Sequence, residues 1–221
     1  MEVLRAEVMG LCFGVRDALR IIDRVERPTE VTIHGELVHN EVVLIDLENR
    51  GFGRTEEANR QGVPETSQVL ITAHGISDRE RERLRNAGRT LIDTTCPLVT
   101  RAHEAAVGLS REGYHVLLIG RRGHVEVLGI VEDLASYSLI ETSADVTTYP
   151  HPRLGIVCQT TTSEALVAEI RARIAERNPS AEIRFIDTVC RPTKDHQRAL
   201  EELLDRVEAV VVVGGKNSNN T

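Results

Sequence analysis

Leu91-Ile92-Asp93-Thr94-Thr95-Cys96-Pro97-Leu98-Val99 reads as the end of a buried strand, a cysteine on the turn, and a helix opening on Pro97. Phe185-Ile186-Asp187-Thr188-Val189-Cys190-Arg191-Pro192 repeats its Ile-Asp-Thr-x-Cys core about one small α/β domain later. A looser version stands near the N-terminus, where Val3 to Val8 leads through Met9-Gly10-Leu11 to Cys12 and an apolar-periodic run from Val15. Cys12, Cys96 and Cys190 thus share one local position, at a strand end beside a helix start. Three similar units that each present a thiol point to one shared metal centre.

Composition narrows the function classes. The 221 residues carry 27 Lys plus Arg against 34 Asp plus Glu, a net charge of −7, which argues against a grip on nucleic acid that depends on neutralising phosphates. With three Phe, three Tyr and no Trp, stacking on bases is also disfavoured. There is no charged-then-apolar leader and no apolar run near the ~20 residues that span a bilayer. Four cysteines in such a chain suit free thiols or metal ligands in a reducing cytoplasm.

The chain alternates strands and helices. Strands are expected at 3–8, 31–33 and 69–72, through Leu91-Ile92-Asp93, and at 116–119, 137–140, 154–157, 182–186 and 210–213. Between them run helices with 3.6-residue apolar periods: Val15, Ala18, Leu19, Ile22 and Val25 before Pro28; a helix capped by Asn40 and stopped by Gly51; one opened by a Ser77/Glu80 capping box and stopped near Gly88; one from Leu98 to Gly113; one through Ile174; and one over 193–207. Residues 52–66 are polar, with Gly53, Gly62 and Pro64, and are expected to be connecting structure. This order predicts repeated small parallel-sheet α/β domains: 13–96, 97–192, and a partial third made of 193–221 with strand 1–12. The Val210–Val213 strand has too little chain beside it to be covered, so the third unit is expected to be incomplete.

In parallel sheets ligands collect beyond the carboxyl ends of the strands. Those ends carry Cys12, His39, His74, Cys96, His124, Glu126, Thr160, Thr161 and Cys190. Thiolates at helix starts are stabilised by unpaired backbone N–H groups. Structural zinc draws closely spaced pairs such as C-x₂-C, and none is present. An iron–sulfur cluster tolerates dispersed ligands, and three thiolates leave one iron of a four-iron cluster open to substrate. Cys158 lacks the shared context and reads as a buried small hydrophobe. His39, His74 and His124, with hydroxyls of Thr160 and Ser218 and the amide of Asn220, suggest a diphosphate site without a P-loop, since no G-x-x-x-x-G-K-[ST] stretch occurs. Glu126, two residues past His124, suits proton delivery, with Thr160 as relay and Thr161 sharing helix-capping with Ser163. His103, His115, His151 and His196 receive no role.

Gly10-Leu11-Cys12-Phe13-Gly14-Val15, Val38-His39-Asn40, Ala73-His74-Gly75, Asp93 to Val99, Gly123-His124-Val125-Glu126, Gln159-Thr160-Thr161, Cys190 and Gly214 to Thr221 together resemble the IspH/LytB family, over the whole chain and in order. The resemblance implies 4-hydroxy-3-methylbut-2-enyl diphosphate reductase activity, with three pseudo-symmetric domains around one [4Fe–4S] cluster on Cys12, Cys96 and Cys190. It implies that His39, His74, His124, Ser218 and Asn220 bind the diphosphate and that Thr160, Thr161 and Asn219 also belong to the substrate site. Glu126 would supply the proton, and ferredoxin or flavodoxin the two electrons. Val125 stands where the family usually has proline, Arg191-Pro192-Thr193-Lys194 departs from the common loop, and a family serine of the third domain has no counterpart. Two alternatives are a quinolinate-synthase-like cluster enzyme and a non-catalytic cluster- or zinc-binding fragment.

Overall fold

The computed structural model describes residues 2–56, 60, 62–215 and 218. Two four-stranded sheets, parallel throughout, form its frame. The first contains β1 (Val31–His34), β2 (Gly53–Arg54), β3 (Gln68–Ile71) and β4 (Thr90–Asp93), in the order β2-β1-β3-β4. The second contains β5 (His115–Ile119), β6 (Tyr137–Ile140), β7 (Arg153–Cys158) and β8 (Glu182–Phe185), in the order β6-β5-β7-β8. In both sheets the chain starts inside, steps outward to one edge, then returns to build the other. Each sheet therefore has a switch point between its first and third strands, where the loops diverge and leave a crevice.

Among the described residues, seven helices accompany these strands: α1 (Phe13–Ile22), α2 (Glu41–Asn49), α3 (Asp78–Asn86), α4 (Pro97–Arg111), α5 (Val125–Val131), α6 (Glu164–Arg177) and α7 (Arg191–Leu204). The central strands have no polar alternation because helices cover both faces: β1 and β5 are buried at every residue. Ala102, Ala106, Leu118 and Ile130 pack on one face of the second sheet, and Leu117, Ile119, Ile156 and Ile170 on the other. No helix among the described residues is long and apolar enough to cross a membrane.

Four expectations need correction. The strand at 3–8 does not form, and neither does the strand at 210–213. A strand needs paired backbone partners, and these two apolar strips do not pair; Val211 and Val213 are 86% and 92% exposed. The polar 52–66 stretch contributes the two-residue β2, because Gly53 and Arg54 meet Thr32 and Ile33. Pro28 does not close α1, which ends at Ile22; Pro28 opens a short 3₁₀ turn instead.

Candidate active site

The repeated motif does the same work twice. Thr94 and Thr188 are buried, and their hydroxyls donate to the last carbonyls of the neighbouring strands, Ile71 at 2.6 Å and Cys158 at 2.5 Å. Asp93 and Asp187 accept from the amides two residues on, at 2.9 and 3.2 Å, which turns the chain off the strand. The amides of Cys96 and Cys190 then donate to Ala73 and Thr160, at 3.0 and 2.8 Å. Each cysteine is thereby pinned beside a switch-point loop. Cys12, Cys96 and Cys190 are the N-cap residues of α1, α4 and α7.

These thiols converge. Burial pushes the Cys96 and Cys190 thiols above the usual range, against the pull of helix-start amides, and Cys12 adds to the rise in both cases. Gly14 makes the approach of α1 possible, since a Cβ there would lie 2.5 Å from the Cys96 sulfur. Gly14→Ala is expected to cost about 1–3 kcal/mol through this overlap and to lower the iron retained after anaerobic reconstitution. Thermal melting and an iron assay check both.

The spacing of the sulfurs tests which metal they fit. Among the described residues, the only three potential ligands whose donor atoms all lie within 4.8 Å of one another are Asp78, His103 and Asp133. The three sulfurs are therefore spread wider than one zinc ion allows, because thiolates about 2.3 Å from one ion cannot be more than about 4.6 Å apart. A multi-iron cluster spans such a gap. Cys158 stays outside this set: it is fully buried in the core, and its thiol is pushed up to about 12 by burial.

His39 and His74 follow β1 and β3, at the first switch point, and His124 follows β5 at the second. The rings of His39 and His74 stack at 4.3 Å, and His124 meets them edge-on at 5.5 and 5.6 Å. His39 Nε2 and His74 Nδ1 are buried without a hydrogen-bond partner. Burial, the neighbouring imidazoles and Arg60 hold His74 well below the usual histidine range. His124 falls to about 4, through burial, His39, Arg121 and Arg60. Its Nδ1 accepts from the Glu126 amide at 3.2 Å, which leaves the proton on Nε2. His74 and His124 are held neutral, and the cluster carries orphaned nitrogens beside the positive charge of Arg60 and Arg121. The orphaned nitrogens become N–H donors to an anion once the anion's charge draws a proton onto the rings.

Glu126, in the first turn of α5, is 2% exposed. The Thr160 amide and hydroxyl donate to its two oxygens at 2.7 and 2.9 Å. Burial nevertheless raises its carboxyl to about 7, against the pull of both bonds. The group is poised to hold or give a proton at neutral pH. A cleft of about 210 Å³ reaches it from the surface past Arg81, Thr95 and His103, with His74 also on its wall.

A model of the LytB protein family matches residues 3–221. The chain belongs to the LytB family. Among its LytB relatives are proteins named 4-hydroxy-3-methylbut-2-enyl diphosphate reductase from Aquifex aeolicus (strain VF5) and Helicobacter pylori (strain P12). They are 34% and 32% identical; each alignment covers this whole chain and 77% or 79% of the relative. Two solved structures match as well. One is of (E)-4-hydroxy-3-methyl-but-2-enyl diphosphate reductase, the terminal enzyme of the non-mevalonate pathway (TM-score 0.77, 34% identity, 97% of this chain and 77% of the other). The other is E-1-hydroxy-2-methyl-but-2-enyl-4-diphosphate reductase from Plasmodium falciparum (TM-score 0.85, 30% identity, 96% and 68%). These matches favour the reductase over the quinolinate-synthase-like alternative.

The remaining LytB-site expectations fall as follows. Thr161 is half-buried and accepts from Gln159 Nε2 at 3.2 Å, while Ser163 caps α6. Ser218 is half-buried on a turn to Gly215, whose backbone passes directly against the His39 carbonyl. Asn219 and Asn220 lie outside the described residues. Sequence reasoning missed Arg60 and Glu36. Glu36 Oε2 meets His39 Nδ1 at 2.9 Å, and its i,i+3 spacing was the available signal. Arg60 sits in a polar stretch with no motif, so nothing local marked it.

Proposed function

We infer that this chain reduces 4-hydroxy-3-methylbut-2-enyl diphosphate to isopentenyl and dimethylallyl diphosphate, using two electrons and two protons and releasing the allylic hydroxyl as water. The observation that carries this is a buried carboxylic acid near neutral pKa, Glu126, two residues from a histidine cradle with orphaned nitrogens and electrostatically coupled to Cys190. His39 Nε2 and His74 Nδ1 meet the diphosphate, with the His124 Nε2 proton as a donor; Thr160, Thr161, Ser218, Asn219 and Asn220 complete the wall. Glu126 gives its proton to the departing hydroxyl, and Thr160 holds the carboxyl in place for that transfer. The cleft toward His103 lets Glu126 exchange protons with solvent between turnovers.

Cys12, Cys96 and Cys190 would hold one [4Fe–4S] cluster with an open iron, in units spanning 13–96, 97–192 and 193–221 with 1–12. When bound, it supplies electrons and a Lewis-acidic iron, which a poor leaving group such as hydroxide needs. A small redox protein of the ferredoxin or flavodoxin class is the electron source, and the reduced thiols suit the cytoplasm.

Anaerobic reconstitution with iron and sulfide, followed by chemical reduction and addition of the allylic diphosphate, tests this. About four irons per chain and both product diphosphates are expected. Stoichiometric zinc without iron, or no consumption of the substrate by the iron-loaded chain, would overturn it.

A further inference from the structure

We propose that Asp133 is a positioning residue for the diphosphate cradle: it clamps the start of α3 to the end of α5 and so sets the spacing of His74 and His124. His74 lies on the loop between β3 and α3, in the first sheet's unit. His124 caps α5 and Glu126 lies in its first turn, in the second. No direct covalent link fixes the 5.6 Å between the His74 and His124 rings.

The connection runs through the far end of α5. The carboxylate of Asp133 accepts from the Asp78 amide at 2.6 Å and the Arg79 amide at 3.3 Å, the first two residues of α3. His103 Nε2, from α4, meets the same carboxylate at 2.7 Å. Beside it, Ser77 Oγ donates to Glu132 Oε2 at 2.7 Å and accepts from the Glu80 amide at 3.1 Å. The N-terminus of α3 is thus capped from another unit of the fold. Gly129 on α5 lies against the backbone of Ile76, where a Cβ would sit 3.3 Å from two backbone atoms. No slack remains between this helix and the His74 loop.

α5 is seven residues long, about 10 Å. It carries His124 and Glu126 at one end and the anchor for the His74 loop at the other. Burial would raise the Asp133 carboxyl, yet the amides of Asp78 and Arg79 and the ring of His103 hold it below the usual range. The carboxylate is therefore ionised and committed to these partners. Its oxygens are engaged by three protein donors, the amides of Asp78 and Arg79 and the ring of His103.

This role rests on the anion-binding reading of the histidines, and the test separates the two. Binding of inorganic diphosphate to the reconstituted chain is measured calorimetrically for the parent, Asp133→Ala, His74→Phe and the double variant. Asp133→Ala is expected to weaken binding ~10-fold with iron content and visible spectrum unchanged, and to make the His74 substitution cost less than it does in the parent. In turnover, KM rises while the pH profile keeps its position. Asp133→Asn, which retains one acceptor, restores part of the loss and carries the cycle if the alanine variant does not fold. Parent-like binding by the Asp133 variants, or strictly additive losses, would overturn the clamp while leaving the cradle standing. Failure of the parent to bind diphosphate would overturn both.

Discussion

Glu126→Gln is expected to leave the visible spectrum of the reconstituted protein unchanged and to slow turnover at least ~10²-fold, the scale of a lost general acid. Glutamine matches the volume of the buried acid, so the Thr160 amide keeps an acceptor at 2.7 Å and the Thr160 hydroxyl turns to accept from the new amide. Only the transferable proton is gone. Because the parent acid titrates at about 7, its turnover should fall as pH rises through that value. Rates equal to the parent would remove Glu126 from the mechanism.

The same substitution has a stability signature with a defined sign. Burial raises the folded-state pKa of Glu126 from 4.5 to about 7, so between those values the folded protein holds a proton that the unfolded chain has lost. The contribution is fully present below about 4.5 and is lost as pH rises through about 7. Above pH 7 the parent carries an ionised, desolvated carboxylate, and Glu126→Gln should be the more stable protein by at most on the order of 3 kcal/mol. Melting curves at pH 5 and pH 8 read the crossover directly. A variant less stable than the parent at pH 8 would contradict the burial argument.

The second large effect concerns the cysteines. Cys96→Ser is expected to abolish retained iron and visible absorbance after anaerobic reconstitution, because two thiolates and a hard hydroxyl cannot replace three soft ligands. Cys158→Ala should keep both, since this thiol points into the core and its burial at about pKa 12 leaves it protonated. The pair distinguishes a directed site from general thiol chemistry. Equal iron loss in the two variants would refute the assignment of ligands.

Much of this architecture is legible along the chain because its causes are local. The Ile-Asp-Thr-x-Cys repeat encodes the same turn twice: the threonine hydroxyl, the aspartate and the cysteine amide each act within reach of their own strand end. Asn40 and Ser77 cap helices through bonds to amides two or three residues on. Continuous apolar runs mark the covered strands for the same reason. The strands at 3–8 and 210–213 were misread because composition records only a preference for β structure, whereas a strand exists by pairing.

Other properties have no local cause. The pKa of Glu126 near 7 comes from its burial at the start of α5, and residue type alone would place it near 4.5. Arg60 acts on His74 and His124 from a stretch without pattern, and Asp133 caps a helix that begins 55 residues earlier. Periodicity and motif spacing report what a residue does to its neighbours in the chain. Desolvation, electrostatic crowding and capping from a distance depend on which segments the fold brings together, and those contacts exist only once both sheets have formed.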